Sequence, residues 1–144
     1  MIWSPWLKKD IVAIEQVQRR ATRLIREIRD LSYENRLLSL GLPTLIYRRE
    51  RADMLQLFKV MKGFDEVHLT SVHPQRFNST RGHRMKLEKK HHRLKSTMNS
   101  FIPRSVNSWN SLPEDCIECE TVNSFKSNLN NAWKHKANKF SYTF

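Results

Sequence analysis

The chain has 144 residues and carries 26 lysines and arginines against 14 aspartates and glutamates, a net charge of +12. This length suits one domain with a core of its own, and 39% hydrophobic residues argue against disorder throughout the chain. The chain contains only three glycines, and this low number argues against an α/β enzyme that binds phosphates in glycine-rich turns. The excess of basic residues indicates a polyanionic partner.

Residues 1–63 have a helical pattern that predicts a small antiparallel bundle. Ser32 and Gly41 are suited to begin and end a short second helix, and Thr44 and Gly63 are suited to bound a third. Connections this short fold neighbouring helices back on each other. Steps of three and four predict one apolar stripe on the first helix, formed by Ile11, Ile14, Val17, Ala21, Leu24, Ile25 and Ile28.

Residues 64–96 break this pattern and predict an irregular connector followed by a basic arm. Met85 and Leu87 alternate with charged neighbours, as in a short extended strand or arm. Between residues 80 and 95 only Glu88 opposes seven cations, which are Arg81, Arg84, Lys86, Lys89, Lys90, Arg93 and Lys95. Such a run can be a solvated linker, or it can become ordered on nucleic acid.

Residues 97–134 predict two further helices. Ser96 or Thr97 is expected to cap the first, and Thr121 the second. Trp109 and Trp133 fall at apolar positions of these helices and are predicted core anchors. Residues 135–144 are predicted to form a frayed basic tail. The predicted fold is therefore mainly α: a small bundle, a basic irregular arm and two more helices.

The sequence predicts no metal site, no cofactor and no membrane span. Cys116 and Cys119 are half of a zinc site at best, and His83, His91 and His92 lie on another segment, so buried free thiols are expected. The apolar runs are far too short to cross a bilayer, and no secretory signal is visible at the N-terminus. We expect an intracellular protein.

A succession of short phrases resembles one known family. Leu-Gly-Leu-Pro-Thr-Leu at 40–45 and Val-Asn-Ser-Trp-Asn-Ser-Leu-Pro at 106–113 are two of them. The others span residues 3–11, 15–25, 31–37, 47–49, 80–83 and 122–126. In this order they resemble the region downstream of the polymerase core in jockey-like non-LTR (LINE-class) retrotransposon reverse transcriptases. The resemblance covers nearly the whole chain.

This resemblance implies a thumb and a basic C-terminal extension that grip the RNA–DNA template–primer. The chain lacks the palm signature, an aromatic residue followed by Ala-Asp-Asp, so we expect no catalytic residues and no polymerase activity from it alone. The implied partners are RNA, DNA and a polymerase palm, and the implied location is nuclear. Outside the arm, the expected phosphate contacts are Arg19, Arg20, Arg23, Arg48, Arg49 and Arg51.

Two alternatives remain open at this level. The chain could be a decayed element copy with no selected activity, or a helical protein–protein adaptor. Trp3 and Trp6 would pack on the palm in the parent protein and would leave an exposed apolar patch without it. The arginine-rich helices could also be solvated faces neutralised by Glu27, Asp30, Glu34 and Glu50.

Overall fold

The computed structural model describes residues 4–65 and 82–141. These residues contain seven α-helices, one 3-10 turn and no strand, so the predicted mainly α fold is confirmed. The helices are α1 (Lys8–Arg23), α2 (Tyr33–Leu40), α3 (Leu45–Met61), α4 (Lys95–Met98), α5 (Phe101–Asn110), α6 (Glu114–Ile117) and α7 (Val122–Ala132), with the 3-10 turn at Ala137–Lys139. The described residues divide into two compact units, 4–51 with 135–141, and 52–65 with 82–134. The predicted domain boundaries at residues 63, 96 and 134 remain a prediction.

The first unit has a polar centre built around a buried carboxylate. Glu15 on α1 is 1% exposed and accepts hydrogen bonds from the Tyr33 hydroxyl at 2.7 Å and the Leu45 amide at 3.0 Å. Because Leu45 is the first residue of α3, its amide has no partner within that helix. Glu15 therefore caps α3 from another helix and places its negative charge at the positive end of the helix dipole.

The apolar stripe predicted on α1 is only partly covered, because Ile11 and Ile14 are half-buried and the next four residues of the stripe are exposed. Val17 is 66% exposed and Leu24 is 84% exposed, whereas Glu15 and Thr22 are buried. Two polar residues lie on the inward side of the helix because Glu15 bonds to Tyr33 and Leu45, and Thr22 bonds to Arg36. These partners lie 14 or more residues away along the chain, beyond the reach of a local pattern.

Helix α1 also ends earlier than its apolar pattern predicts, at Arg23 and not near Ile28. The buried Arg36 side chain holds the connection that follows. Its Nη1 donates to the carbonyl of Leu31 at 2.6 Å and to that of Arg29 at 3.3 Å. These bonds give the Leu31 and Arg29 carbonyls, which lie in the turns between α1 and α2 and outside any helix, a hydrogen-bond donor.

The C-terminal segment of the first unit is tied to the start of α3. Thr44 donates its amide to the Lys139 carbonyl at 2.9 Å and its hydroxyl to the Asn138 carbonyl at 2.6 Å. Glu50 accepts from Lys136 Nζ at 2.6 Å and from Asn138 Nδ2 at 3.0 Å. Residues 136–139 thus have specific partners in this unit, where composition alone suggested a frayed tail.

The second unit contains an aromatic core. Phe58 stacks on Phe125 with ring centroids 4.2 Å apart, and Trp109 tilts against Phe125 at 6.3 Å. Trp109 is fully buried and Trp133 is 8% exposed, which confirms both as core residues. Asp53 and Arg104 form a bidentate, largely buried ion pair at 2.8 and 2.9 Å.

The predicted helix boundaries hold where the signal is local. Ser32 accepts from the Asn35 amide, Thr121 accepts from the Ser124 amide, and Gly41 ends α2 with a φ of 62°. The single helix predicted after Ser96 is instead two, α4 and α5. Pro103 explains the break between them. Its nitrogen cannot donate a hydrogen bond, so a proline is tolerated in the first turn of α5 but not in the middle of one continuous helix.

Candidate nucleic-acid interface

The basic arm is attached to helix α5 through residue Leu87. The Leu87 amide donates to Asn110 Oδ1 at 2.9 Å, and Asn110 Nδ2 donates to the Leu87 carbonyl at 2.9 Å. One side-chain amide therefore satisfies both backbone groups of a residue that is 2% exposed. The prediction of an extended arm is consistent with this pairing, although the described residues contain no strand.

Two further hydrogen bonds attach the arm to Trp109. The Trp109 indole Nε1 donates to the Met85 carbonyl at 2.8 Å, and His83 Nε2 lies 2.9 Å from the Trp109 carbonyl. Because a carbonyl only accepts, His83 Nε2 carries the proton. Burial lowers the pKa of His83, and the nearby positive charge of Lys86 lowers it further. His83 is therefore a neutral, buried donor in this attachment.

The attachment uses residues 83, 85 and 87, and the cations alternate with them. Arg84 is exposed and Lys86 is half-buried, as expected where successive side chains point to opposite sides of an extended segment. Gly82 precedes this segment with a φ of 112°. This backbone conformation favours glycine, whereas the 3.0 Å contact that a Cβ would make with Lys86 Cε could be relieved by the flexible lysine side chain.

The remaining cations of the arm follow the attachment and reach solvent. The four that lie between Leu87 and helix α4 or at its start, namely Lys89, Lys90, Arg93 and Lys95, are all exposed. Arg81, the first predicted contact of the arm, lies outside the described residues. The exposed cations of the arm thus follow a segment that is hydrogen-bonded to α5.

The predicted arginines of the bundle lie on two helices of the first unit. Arg19, Arg20 and Arg23 are exposed on α1. On α3, Arg48 is exposed, whereas Arg49 and Arg51 are half-buried. Because these arginines belong to one compact unit and the arm to the other, they are two separate groups of candidate contacts.

One bundle arginine is held in place by an aromatic ring. The Arg19 guanidinium carbon lies 4.9 Å from the centroid of the Tyr33 ring, within cation–π distance. The Tyr33 hydroxyl is bonded to Glu15 at 2.7 Å, so the ring that supports Arg19 is itself fixed. Such support reduces the freedom that Arg19 would lose on meeting a phosphate.

An acidic side chain lies near the arm in the second unit. Glu114 lies 4.0 Å from Arg84, with the arginine side chain 87% exposed, and pairs of this kind contribute little in water. In the first unit, Asp30 lies 3.7 Å from Arg29, and Glu50 is bonded to Lys136. The helix-surface neutralisation considered for Glu27 and Asp30 is weakened because both residues follow the end of α1.

Cys116 and Cys119 are free thiols in the second unit. Burial raises the pKa of Cys116 to about 11, and Cys119 Sγ donates to the Cys116 carbonyl at 2.9 Å. Within residues 4–65 and 82–141, no group of three or more His, Cys, Asp or Glu side chains is arranged to hold a metal ion. Thiols this weakly acidic are poor nucleophiles at neutral pH.

The sequence identified the cations of the arm but not the residues that hold it. Trp109 was predicted as a core residue, and its second role as a donor to Met85 had no sequence signal. Asn110 had none either, because an asparagine at the end of a helix is common. Both roles depend on contacts 23 or more residues distant in the chain.

Comparisons of the chain with models of protein families, with curated proteins and with solved structures found no significant match. Among the helices of the described residues, none is long and apolar enough to cross a membrane.

Proposed function

We propose that this chain binds nucleic acid through the phosphate backbone and catalyses no reaction itself. The observation that carries the proposal is the basic arm, a dense set of exposed cations on a root that is hydrogen-bonded to α5. In this role the chain corresponds to the thumb and C-terminal extension of a non-LTR retrotransposon reverse transcriptase, acts in the nucleus, and has an RNA–DNA hybrid and a polymerase palm as partners.

The type of recognition follows from the kind of side chains on offer. Lysine and arginine neutralise phosphates and release counterions, which gives affinity without sequence choice. The arm offers Arg84, Lys86, Lys89, Lys90, Arg93 and Lys95. Arginine additionally matches two phosphate oxygens with its planar fork, which suits the arginines of α1 and α3.

Aromatic stacking on bases contributes little to this proposal. Trp109 and Trp133 are buried in the second unit and cannot reach a base without unfolding it. Tyr33 is buried and Tyr47 is 2% exposed, so neither ring is available either. Among the aromatic residues that the structure describes, Trp6 and Phe64 are exposed, and two isolated rings support few stacking contacts. Binding is therefore dominated by electrostatics.

The test is binding of the full chain to a fluorescein-labelled RNA–DNA hybrid, measured by anisotropy from 50 to 300 mM salt. We expect affinity to fall steeply and linearly on a double-logarithmic plot, with a slope that reports several phosphate contacts. Hybrids of unrelated sequence should bind within about threefold of each other, since phosphate contacts do not read bases. Affinity that does not change with salt, or no binding at the lowest salt, would contradict the proposal.

A further inference from the structure

The outward face of helix α1 is an apolar stripe. Ala13, Val17, Ala21 and Leu24 follow each other at steps of four, four and three residues, and all are exposed. At 100° per residue these positions lie within one sector of the helix, on the side opposite the buried Glu15. The stripe spans about three turns, or roughly 16 Å of helix axis.

The size pattern of this stripe is that of a helix-packing surface. Small residues, Ala13 and Ala21, alternate with larger ones, Val17 and Leu24. Packed helices interdigitate through such alternation, because small side chains form the holes that receive knobs from a partner. Isolated exposed apolar residues are ordinary, but a continuous stripe on one helix face indicates an interaction site.

Charge along one edge of the stripe selects the partner. Lys9, Arg20 and Arg23 lie at spacings of eleven and three residues, which places them on the same flank. Asp10 lies in line with the stripe at its N-terminal end, and the other flank carries the half-buried Ile14. A second copy of the chain packed antiparallel would bring the two basic flanks together, and like charges there are unfavourable.

From this combination we infer that α1 is a docking surface for an acidic amphipathic helix of a partner protein. Leucine-like residues of the partner pack over Ala13 and Ala21, and its glutamates or aspartates pair with Lys9, Arg20 and Arg23. This surface is a site additional to the phosphate contacts proposed above, although Arg20 and Arg23 border both. The two proposals stand or fall separately.

The probe is a fluorescein-labelled 21-residue helical peptide with leucine at heptad positions a and d and glutamate at e and g. We expect this acidic peptide to bind the full chain, and two control peptides to bind at least tenfold more weakly. One control carries lysine in place of glutamate, and the other keeps glutamate but carries serine in place of leucine. Equal binding of the serine peptide would show attraction by charge alone and would overturn the inference.

Protein variants locate the contact. V17S/L24S should weaken acidic-peptide binding at least tenfold, whereas L38S, which removes an exposed leucine from α2, should change it less than twofold. R20E/R23E should lose the acidic peptide and gain the lysine peptide, a swap that misfolding cannot produce. If R20E/R23E does not exchange the acidic peptide for the lysine peptide, the docking surface is refuted. If the chain forms a concentration-dependent dimer that V17S/L24S abolishes, the occupant of the surface is a second copy of the chain, and the inference is likewise overturned.

The same variant keeps this test separate from that of nucleic-acid binding. V17S/L24S changes no charge, so its affinity for the RNA–DNA hybrid should stay within twofold of the parent chain. A chain that binds hybrid but not the acidic peptide would refute only the docking surface. A chain that binds the peptide but not the hybrid would refute only the proposed function.

Discussion

Asn110 pairs with Leu87 as a neighbouring β-strand would. Its side-chain amide accepts from the Leu87 amide and donates to the Leu87 carbonyl, both at 2.9 Å. A helix end thereby holds an extended segment through the side chain of one residue. The cations that follow Leu87 begin from a defined point on the second unit, which is the basis of the proposed interface.

Replacing Asn110 with alanine should loosen the root of the arm. N110A removes both bonds and leaves two buried backbone groups of Leu87 unpaired, at a cost of about 1–3 kcal/mol. Urea unfolding measures the loss of stability, and hydrogen exchange should accelerate at the Leu87 amide. N107A, an exposed asparagine on the same helix, is the matched control and should have neither effect. Unchanged exchange at Leu87 in N110A would contradict the attachment.

His83 should make stability depend on pH in mildly acidic solution. Its pKa is lowered in the folded chain by burial, and then by Lys86, while the Trp109 carbonyl and Glu114 act in the opposite direction. Nδ1 has no hydrogen-bond partner among the described residues, so a second ring proton would be buried without an acceptor. Between the lowered folded pKa and about 6.5, the unfolded chain binds more protons, so stability falls as pH decreases.

The corresponding measurement is urea unfolding at pH 7.5 to 5. The His83 contribution to the slope is at most about 1.4 kcal/mol per pH unit. H83Q retains a donor for the Trp109 carbonyl but cannot titrate, so its stability should vary less with pH over this window. H91Q removes an exposed histidine of the arm and serves as the control. Equal slopes in H83Q and the parent chain would refute the role of His83.

Removing only one partner of the Asp53–Arg104 ion pair should destabilise the chain more than removing both. Asp53 is 5% exposed and both of its oxygens accept from Arg104, so R104A leaves a buried carboxylate uncompensated. We expect a loss of about 3–5 kcal/mol for R104A and a smaller loss for D53L/R104M, which removes both charges. Chemical denaturation of the single and double variants measures this. A loss in D53L/R104M as large as that in R104A would show that the uncompensated carboxylate is not the cause.

The Tyr33–Glu15 bond should contribute to the stability of the first unit. Y33F removes a 2.7 Å hydrogen bond to a buried carboxylate, which costs about 1.5–3 kcal/mol. Burial, and then the Glu15 carboxylate, raise the pKa of the Tyr33 phenol. The folded chain therefore keeps this proton above pH 10 while the unfolded chain loses it, and stability should fall as pH rises above 10. In unfolding experiments, Y33F should show a shallower alkaline fall; an equally steep one would contradict the assignment.

Local signals in the sequence located both ends of α2 and the start of α7, but not the end of α1, the start of α4 or the inward face of α1. Ser32, Gly41 and Thr121 act on neighbouring backbone groups, so their roles are visible in a short window. The direction of α1 depends on Glu15 meeting Tyr33 and Leu45, contacts formed only once the chain has folded. The spacing of apolar residues shows that a helix is amphipathic. Which of its faces is buried also depends on polar residues in other parts of the chain that bond to it.

The candidate interface was also predictable only in part: its cations were, and the contacts that hold them were not. Seven cations within 15 residues are visible in the sequence, and so is the alternation of Met85 and Leu87. The attachment was not visible, because it combines backbone groups of the arm with side chains of Trp109 and Asn110. The sequence therefore identified the cations of the arm, and the structure identified the residues that attach the arm to α5.

The measurement that tests nucleic-acid binding most directly compares salt slopes for two sets of neutralised cations. K89Q/K90Q/R93Q removes three cations of the arm, and K59Q/K126Q/K134Q removes three cations of the same unit outside the predicted contacts. On the RNA–DNA hybrid, the arm variant should lower the slope of log affinity against log salt by about two to three. The control variant should lower it by less than about one. Equal reductions in both variants would mean that net charge alone acts, and no reduction in the arm variant would contradict the interface.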